Sequence, residues 1–368
     1  MKPARNIGRT AWRLGVCGVL LIWILQSIFL NEGRIAWEQQ GRSWLELSHL
    51  QRWQVGWSNG PRELWHTLMW VDGRALVLSL VFMGLTLVLG VLRWRMVLRV
   101  QGLELSLQRA TEISLVAHFF NSFLLGSTGG DLLKAYYAAR ETHHKKTEAV
   151  VTVLVDRLLG LFSMLAFACA MMWPNRALLQ AHPRLAALAA FILMMTLGCG
   201  LVIGLSFWGG LSRLWPGSRE LLRKFPKGEL LEQCVEACRA FGRQPGFLLR
   251  TTAVSMLLNL ACVLQFLAVA RGLGLEISPL VLCVIVPMII CVSALPITPS
   301  GLGVRENLYV LMLAVPEINV SATRALSLSL LAYAGSLFWS LIGGVVYVSL
   351  KERHHLDEVT RADPADAK

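Results

Sequence analysis

Six charged residues, Asp131, Lys134, Asp156, Arg157, Arg305 and Glu306, lie in or directly beside long apolar runs. A charge at the centre of a bilayer costs roughly 2.5–3.5 kcal/mol on insertion scales, so such residues mark ion pairs or a polar pathway. Asp131 and Lys134 are three residues apart, which suits a helix-capping carboxylate with an i,i+3 partner. Asp156 and Arg157 are adjacent, so a helix points them about 100° apart and each needs a partner elsewhere. Arg305 and Glu306 repeat that adjacency. Two of the three groups follow backbone breaks. Ser127, Thr128, Gly129 and Gly130 precede Asp131, and Thr298, Pro299, Ser300, Gly301 and Gly303 precede Arg305. Glycines at a helix start let backbone N–H groups approach an anion, and the helix N-terminus adds partial positive charge. Lys134, Arg157 and Arg305 can add charge-assisted hydrogen bonds to a phosphate. Asn121 and Arg140 flank the first break and complete the candidate binding set. Each charge also has a structural reading, as a cap or as a pair that holds the fold together.

Apolar elements must carry these groups. Of the 368 residues, 55% are hydrophobic and 16% charged, against about 45–50% and about 25% in ordinary soluble domains. That balance excludes disorder and a disulfide-rich secreted scaffold, and it argues against a soluble enzyme. The net charge of +12 fits cytoplasmic membrane loops better than a nucleic-acid surface in a chain this apolar. Uncharged or nearly uncharged runs at 14–30, 75–92, 149–173, 185–208, 251–270 and 325–350 are read as six membrane spans. Two broken stretches, 113–125 leading into the first break and 280–295 followed by 308–315, read as re-entrant hairpins. Irregular backbone survives at membrane depth only where protein or a water-filled cavity satisfies it.

The expected fold is therefore all-α: a polytopic membrane helical bundle of six spans and two re-entrant hairpins, eight hydrophobic elements in one integral membrane domain over 1–350. A polar cytoplasmic tail follows at 351–368. Lys2, Arg5, Arg9 and Arg13 precede the first span, and Arg93, Arg95, Arg99 and Arg109 follow the second. The basic loop at 209–246 and the tail carry further positive charge. The expected orientation has both termini and these loops in the cytoplasm of a bacterial cytoplasmic (inner) membrane. The first half then runs span, span, hairpin, span from inside, and the second half repeats that order from outside. Such inverted-topology repeats with broken helices are typical of transporters. The outer loop at 31–74 holds six tryptophans, expected to form amphipathic helices on the outer leaflet, with a sugar-stacking platform as the alternative.

The stretches NSFLLGSTGGDLLKAYYAAR (121–140) and VLVDRLLGL (153–161), with PITPSGLGVRE (296–306) downstream, resemble the paired signatures of the lysylphosphatidylglycerol synthase transmembrane region family. The resemblance covers about 12–350. Gly129, Gly130, Asp131, Asp156, Arg157, Pro299, Gly301, Gly303 and Glu306 match the pattern. Ser127 and Thr128 stand where the family often has a proline and a basic residue, and Lys134 where arginine is common. The resemblance implies a lipid translocase (flippase-like transporter) for an anionic or phosphate-bearing amphiphile, such as a modified phospholipid or polyprenol-linked lipid. It implies no enzyme activity, since no synthase domain follows the last span. No cofactor and no metal site are expected, and the partner is a membrane lipid, with a separate lipid-modifying transferase as a further candidate. The alternatives are a secondary transporter of a small anion and a scaffold for such a transferase. The sequence leaves the oligomeric state open, a homodimer included.

Overall fold

The computed structural model describes residues 43–123, 129–141, 146–207, 237–244, 246–295, 301 and 303–351, with scattered residues from 22 to 40. Most of the expected first span at 14–30, nearly all of the basic loop at 209–246, and the tail beyond 351 lie outside them. So do Ser127, Thr128, Thr298 and Ser300.

Among the described residues the principal helices follow in order. They are α1 (His49–Met69), α2 (Gly73–Val100), α3 (Leu107–Phe123), α4 (Gly129–Glu141), α5 (Lys146–Met172), α6 (Arg176–Ala181), α7 (Pro183–Phe207), α8 (Phe247–Gly272), α9 (Pro279–Ser293), α10 (Val304–Leu313) and α11 (Ala322–Lys351). Five of them, α2, α5, α7, α8 and α11, are long and apolar enough to cross a bilayer. At about 1.5 Å per residue each covers the roughly 30 Å hydrocarbon layer. Their outward faces carry apolar stripes at helical spacing: Val77, Val81, Leu85 and Val88 on α2, and Leu193, Met194, Leu197 and Leu201 on α7, all exposed. Exposed apolar bands of this length face lipid rather than water.

Local signals set the helix starts. Asp72 caps α2, its carboxylate accepting the Arg74 N–H at 3.0 Å. Ser48 and Gln51 form a reciprocal capping box at α1. Pro279 opens α9 at a first-turn position, where its missing N–H costs nothing. The Trp-rich segment, expected on the leaflet surface, is helix α1 docked against the bundle. Gly56 and Gly60 share one face of it. A Cβ at Gly60 would come within 2.3 Å of the Phe29 ring, and one at Gly33 within 2.7 Å of Gly56. Small residues here allow the close helix approach that membrane packing favours.

Both expected hairpins form. In α3–α4 the arms meet at their base through Arg109 and Glu141, 2.7 Å apart. At the tip the Gly130 N–H donates to Asn121 Oδ1 at 2.9 Å. A Cβ at Gly130 would sit 1.9 Å from the Ala117 carbonyl oxygen, so glycine is required there. In α9–α10, Gly301 and Gly303 turn the chain with φ of 69° and 86°, the left-handed region that favours glycine. Helix α9 is the centre of the core, with Val284, Val286 and Met288 wholly buried.

The packing is reciprocal. The long helices α2 and α8 lie against each other along their length, and each hairpin's first arm packs on the last span of the other half, α3 on α11 and α9 on α5. This is the arrangement that an inverted repeat demands. His118 of α3 crosses between the halves, its ring Nε2 lying 3.2 Å from the Ser336 carbonyl of α11.

Candidate functional site

The first cluster forms where α2, α4, α5 and α8 converge. Asp156 lies ten residues into α5, about 15 Å from its start. Arg93 Nε donates to Asp156 Oδ1 at 2.8 Å, and Lys134 Nζ lies 3.4 Å from Asp156 Oδ2. Arg93 Nη1 also reaches Ser255 Oγ on α8 at 3.3 Å. Lys134 Nζ sits 4.2 Å over the ring of Trp94, a cation–π contact in a desolvated place. Gly160 leaves room for the Arg93 guanidinium, since a Cβ there would come within 2.9 Å of Nη2. All three charged groups of this triad are at most about one-eighth exposed, with side-chain values of 10%, 10% and 12%.

Beside the triad, Arg157 pairs with Asp131 across α4 and α5, with Arg157 about half exposed. The expected i,i+3 pairing of Asp131 with Lys134 does not form. Each residue instead finds an opposite charge on α5, Lys134 in the drier position. Arg140 lies in the last turn of α4, six residues past Lys134 and so about 9 Å further along the axis. It is not part of the cluster.

The second cluster lies at the start of α10. Glu306 is fully buried and accepts three kinds of donor: the Gly303 N–H at 2.7 Å, Ser329 Oγ of α11 at 3.3 Å, and the Arg305 guanidinium with Nη2 at 2.5 Å. Arg305 Nε also donates to Ser329 Oγ at 3.1 Å, and its Cζ lies 4.4 Å over the Tyr333 ring. The two clusters correspond: in each half a charged hairpin arm, α4 or α10, is clamped to the last span, α5 or α11.

Two expectations about anion binding change. The Gly130 and Gly303 N–H groups, offered by sequence to a headgroup, already serve Asn121 and Glu306. The three candidate phosphate ligands Lys134, Arg157 and Arg305 are each paired with a carboxylate of the chain itself. Sequence reasoning also placed Arg93 in an inside loop. The helix runs on to Val100, and Arg93 is only 8% exposed. The signal was available: Trp94, Val97 and Leu98 resume the apolar pattern directly after it.

A cavity of about 800 Å³ lies between α7 and α10. Leu185, Leu188, Phe191, Leu308, Leu311 and Val315 make it almost wholly apolar, and His182 and Arg184 stand at its rim. His182 Nε2 contacts Glu317 Oε2 at 2.5 Å, joining the loops before α7 and after α10. Among the described residues no group of three or more His, Cys, Asp or Glu clusters in a way that holds a metal ion.

Broken helices that carry buried charge within an apolar bundle define a polytopic integral membrane protein. The chain belongs to the lysylphosphatidylglycerol synthase TM region family, whose sequence profile matches residues 45–344. A UPF0104 membrane protein of Pyrococcus horikoshii is 26% identical over 313 residues, 79% of this chain and 91% of that protein. A UPF0104 membrane protein of Methanothermobacter thermautotrophicus is 21% identical over 281 residues, 72% of this chain and 82% of that protein.

Proposed function

We propose that this protein is a lipid translocase of the cytoplasmic membrane that moves an anionic or phosphate-bearing amphiphile between leaflets and performs no bond chemistry. The observation that carries this reading is the Arg93–Asp156–Lys134 triad, two buried cations sharing one carboxylate. Net positive charge inside a bundle is costly, and an anionic headgroup offsets it. The apolar cavity between α7 and α10 offers space of the kind a hydrocarbon tail occupies. Family membership supports a lipid as cargo. The ends of α2 and α4 with the start of α3 gather Arg95, Arg99, Arg109 and Arg140, which favours placing that end in the cytoplasm, and both termini with it.

The test is transfer of a fluorescent anionic phospholipid in reconstituted vesicles. Lys134→Gln is expected to stop transfer while the protein still inserts. Transfer at the wild-type rate by Lys134→Gln, or wild-type uptake of a small soluble anion in place of lipid, sinks the reading.

A further inference from the structure

We propose that the cavity between α1 and α10 is a docking site for the phosphate group of an anionic membrane lipid, with Arg52 as its main ligand. The proposal rests on the translocase reading only for where that lipid goes next.

The cavity holds about 920 Å³. Its polar wall is formed by Gln26, Arg34, His49 and Arg52 with the rings of Trp44 and Trp53, and no carboxylate lines it among the described residues. Arg52 is the best-placed donor. Its Nη2 donates to the Leu45 carbonyl at 3.1 Å, and its Cζ lies 6.0 Å from the Trp44 ring centroid. Its Nε is buried and has no hydrogen-bond partner among the described residues. Buried donors are nearly always satisfied, so this N–H gains a partner only when the guanidinium turns toward an acceptor held in the cavity. Guanidinium donors at a fixed angle match the oxygens of a phosphate. Arg34 adds a second cation that is only loosely held, its Glu38 partner being 2.8 Å away with both side chains about half exposed, at 58% and 46%.

The remaining wall is aliphatic: Leu30, Leu50, Val310 and Ala322. A soluble anion would leave that surface uncovered, whereas an amphiphile fills both parts. Tryptophans at headgroup level suit the same occupant, and Trp53 is 47% exposed. Val310 also lines the apolar cavity on the far side of α10, so one hairpin arm separates a cationic compartment from a greasy one.

The full-length protein in detergent is titrated with phosphatidic acid, phosphatidylcholine or glycerol phosphate and read by native mass spectrometry. Wild type is expected to retain phosphatidic acid roughly tenfold more tightly than phosphatidylcholine, and Arg52→Gln to lose that preference, the scale of one charge-assisted hydrogen bond. Glu38→Gln frees Arg34 and is expected to strengthen the preference, a gain that misfolding does not produce. An unchanged preference in Arg52→Gln overturns the site. Glycerol phosphate held as tightly as phosphatidic acid overturns it too, because the aliphatic wall would then contribute nothing. The translocase reading fails separately, through normal lipid transfer by Lys134→Gln with Arg52-dependent binding intact.

Discussion

Arg93 of α2 and Asp156 of α5 meet at 2.8 Å between two spanning helices, and Lys134 reaches the other oxygen of the same carboxylate from the first hairpin. With Ser255 bound to Arg93, one carboxylate ties four elements together. Removing one partner of a buried pair costs roughly 3–5 kcal/mol, because the other charge stays behind unpaired. Asp156→Asn leaves two cations and is expected to lower thermal stability most. Arg93→Met leaves the Lys134–Asp156 pair and is expected to rank second. Lys134→Met leaves a neutral Arg93–Asp156 pair and is expected to cost least in stability while abolishing transfer. Unfolding of the three variants in detergent, set beside their transfer rates, checks the order.

The Asp131–Arg157 pair is a different case. Arg157 is 48% exposed, so solvent screens the pair, and its contribution to stability is expected at about 0–1 kcal/mol. A double-mutant cycle with Asp131→Asn and Arg157→Gln measures it. A coupling well above that range would show that the pair holds the hairpin shut.

Glycine substitutions should split by location. Gly130→Ala drives a Cβ to within 1.9 Å of a backbone carbonyl that cannot yield, so it is expected to separate α3 from α4 and destabilise the protein. Gly198→Ala, with nothing within 4 Å of its Cβ, is expected to stabilise by about 0.5–1 kcal/mol. Thermal melts of the two variants should therefore move in opposite directions.

One pH effect follows from the loop contact. The hydrogen bond from the His182 ring holds the Glu317 carboxyl below its ordinary 4.5. A carboxylate with a depressed folded-state pKa adds stability that is present above its unfolded value and is lost as pH falls through the folded one. Wild type and Glu317→Gln should therefore differ at neutral pH and converge on acidification below that ordinary value. A difference that persists at low pH would exclude the contact as its source.

Both hairpins are legible in the sequence because Gly/Pro breaks interrupt apolar runs at Gly129–Gly130 and Gly301–Gly303, where regular helix is sterically disfavoured. Asp131, Asp156, Arg157, Arg305 and Glu306 are legible as misplaced charges because they lie in or beside apolar runs. Their pairing is not, since it depends on how α4 faces α5 and how α10 faces α11. Arg93 escapes a hydropathy reading because it sits with Arg95 and Arg99, and only the register of α2 separates a buried arginine from two nearer the helix end. The Trp-rich segment reads as an amphipathic helix, and its docking on the bundle turns on the shared face of Gly56 and Gly60. That four-residue spacing is what lets it dock.

The reciprocal packing also sets a schedule for synthesis. Gly343 and Gly344 of α11 receive Leu115 and Phe119 of the first hairpin, and 218 residues separate His118 from its contact at Ser336. A ribosome adding about 5–20 residues per second needs roughly 10–40 s to cover that distance. For all that time the first hairpin is in place without the helix that seats it. Its unpaired His118 and the face of α3 must be sheltered by lipid or by the insertion machinery until the last span emerges.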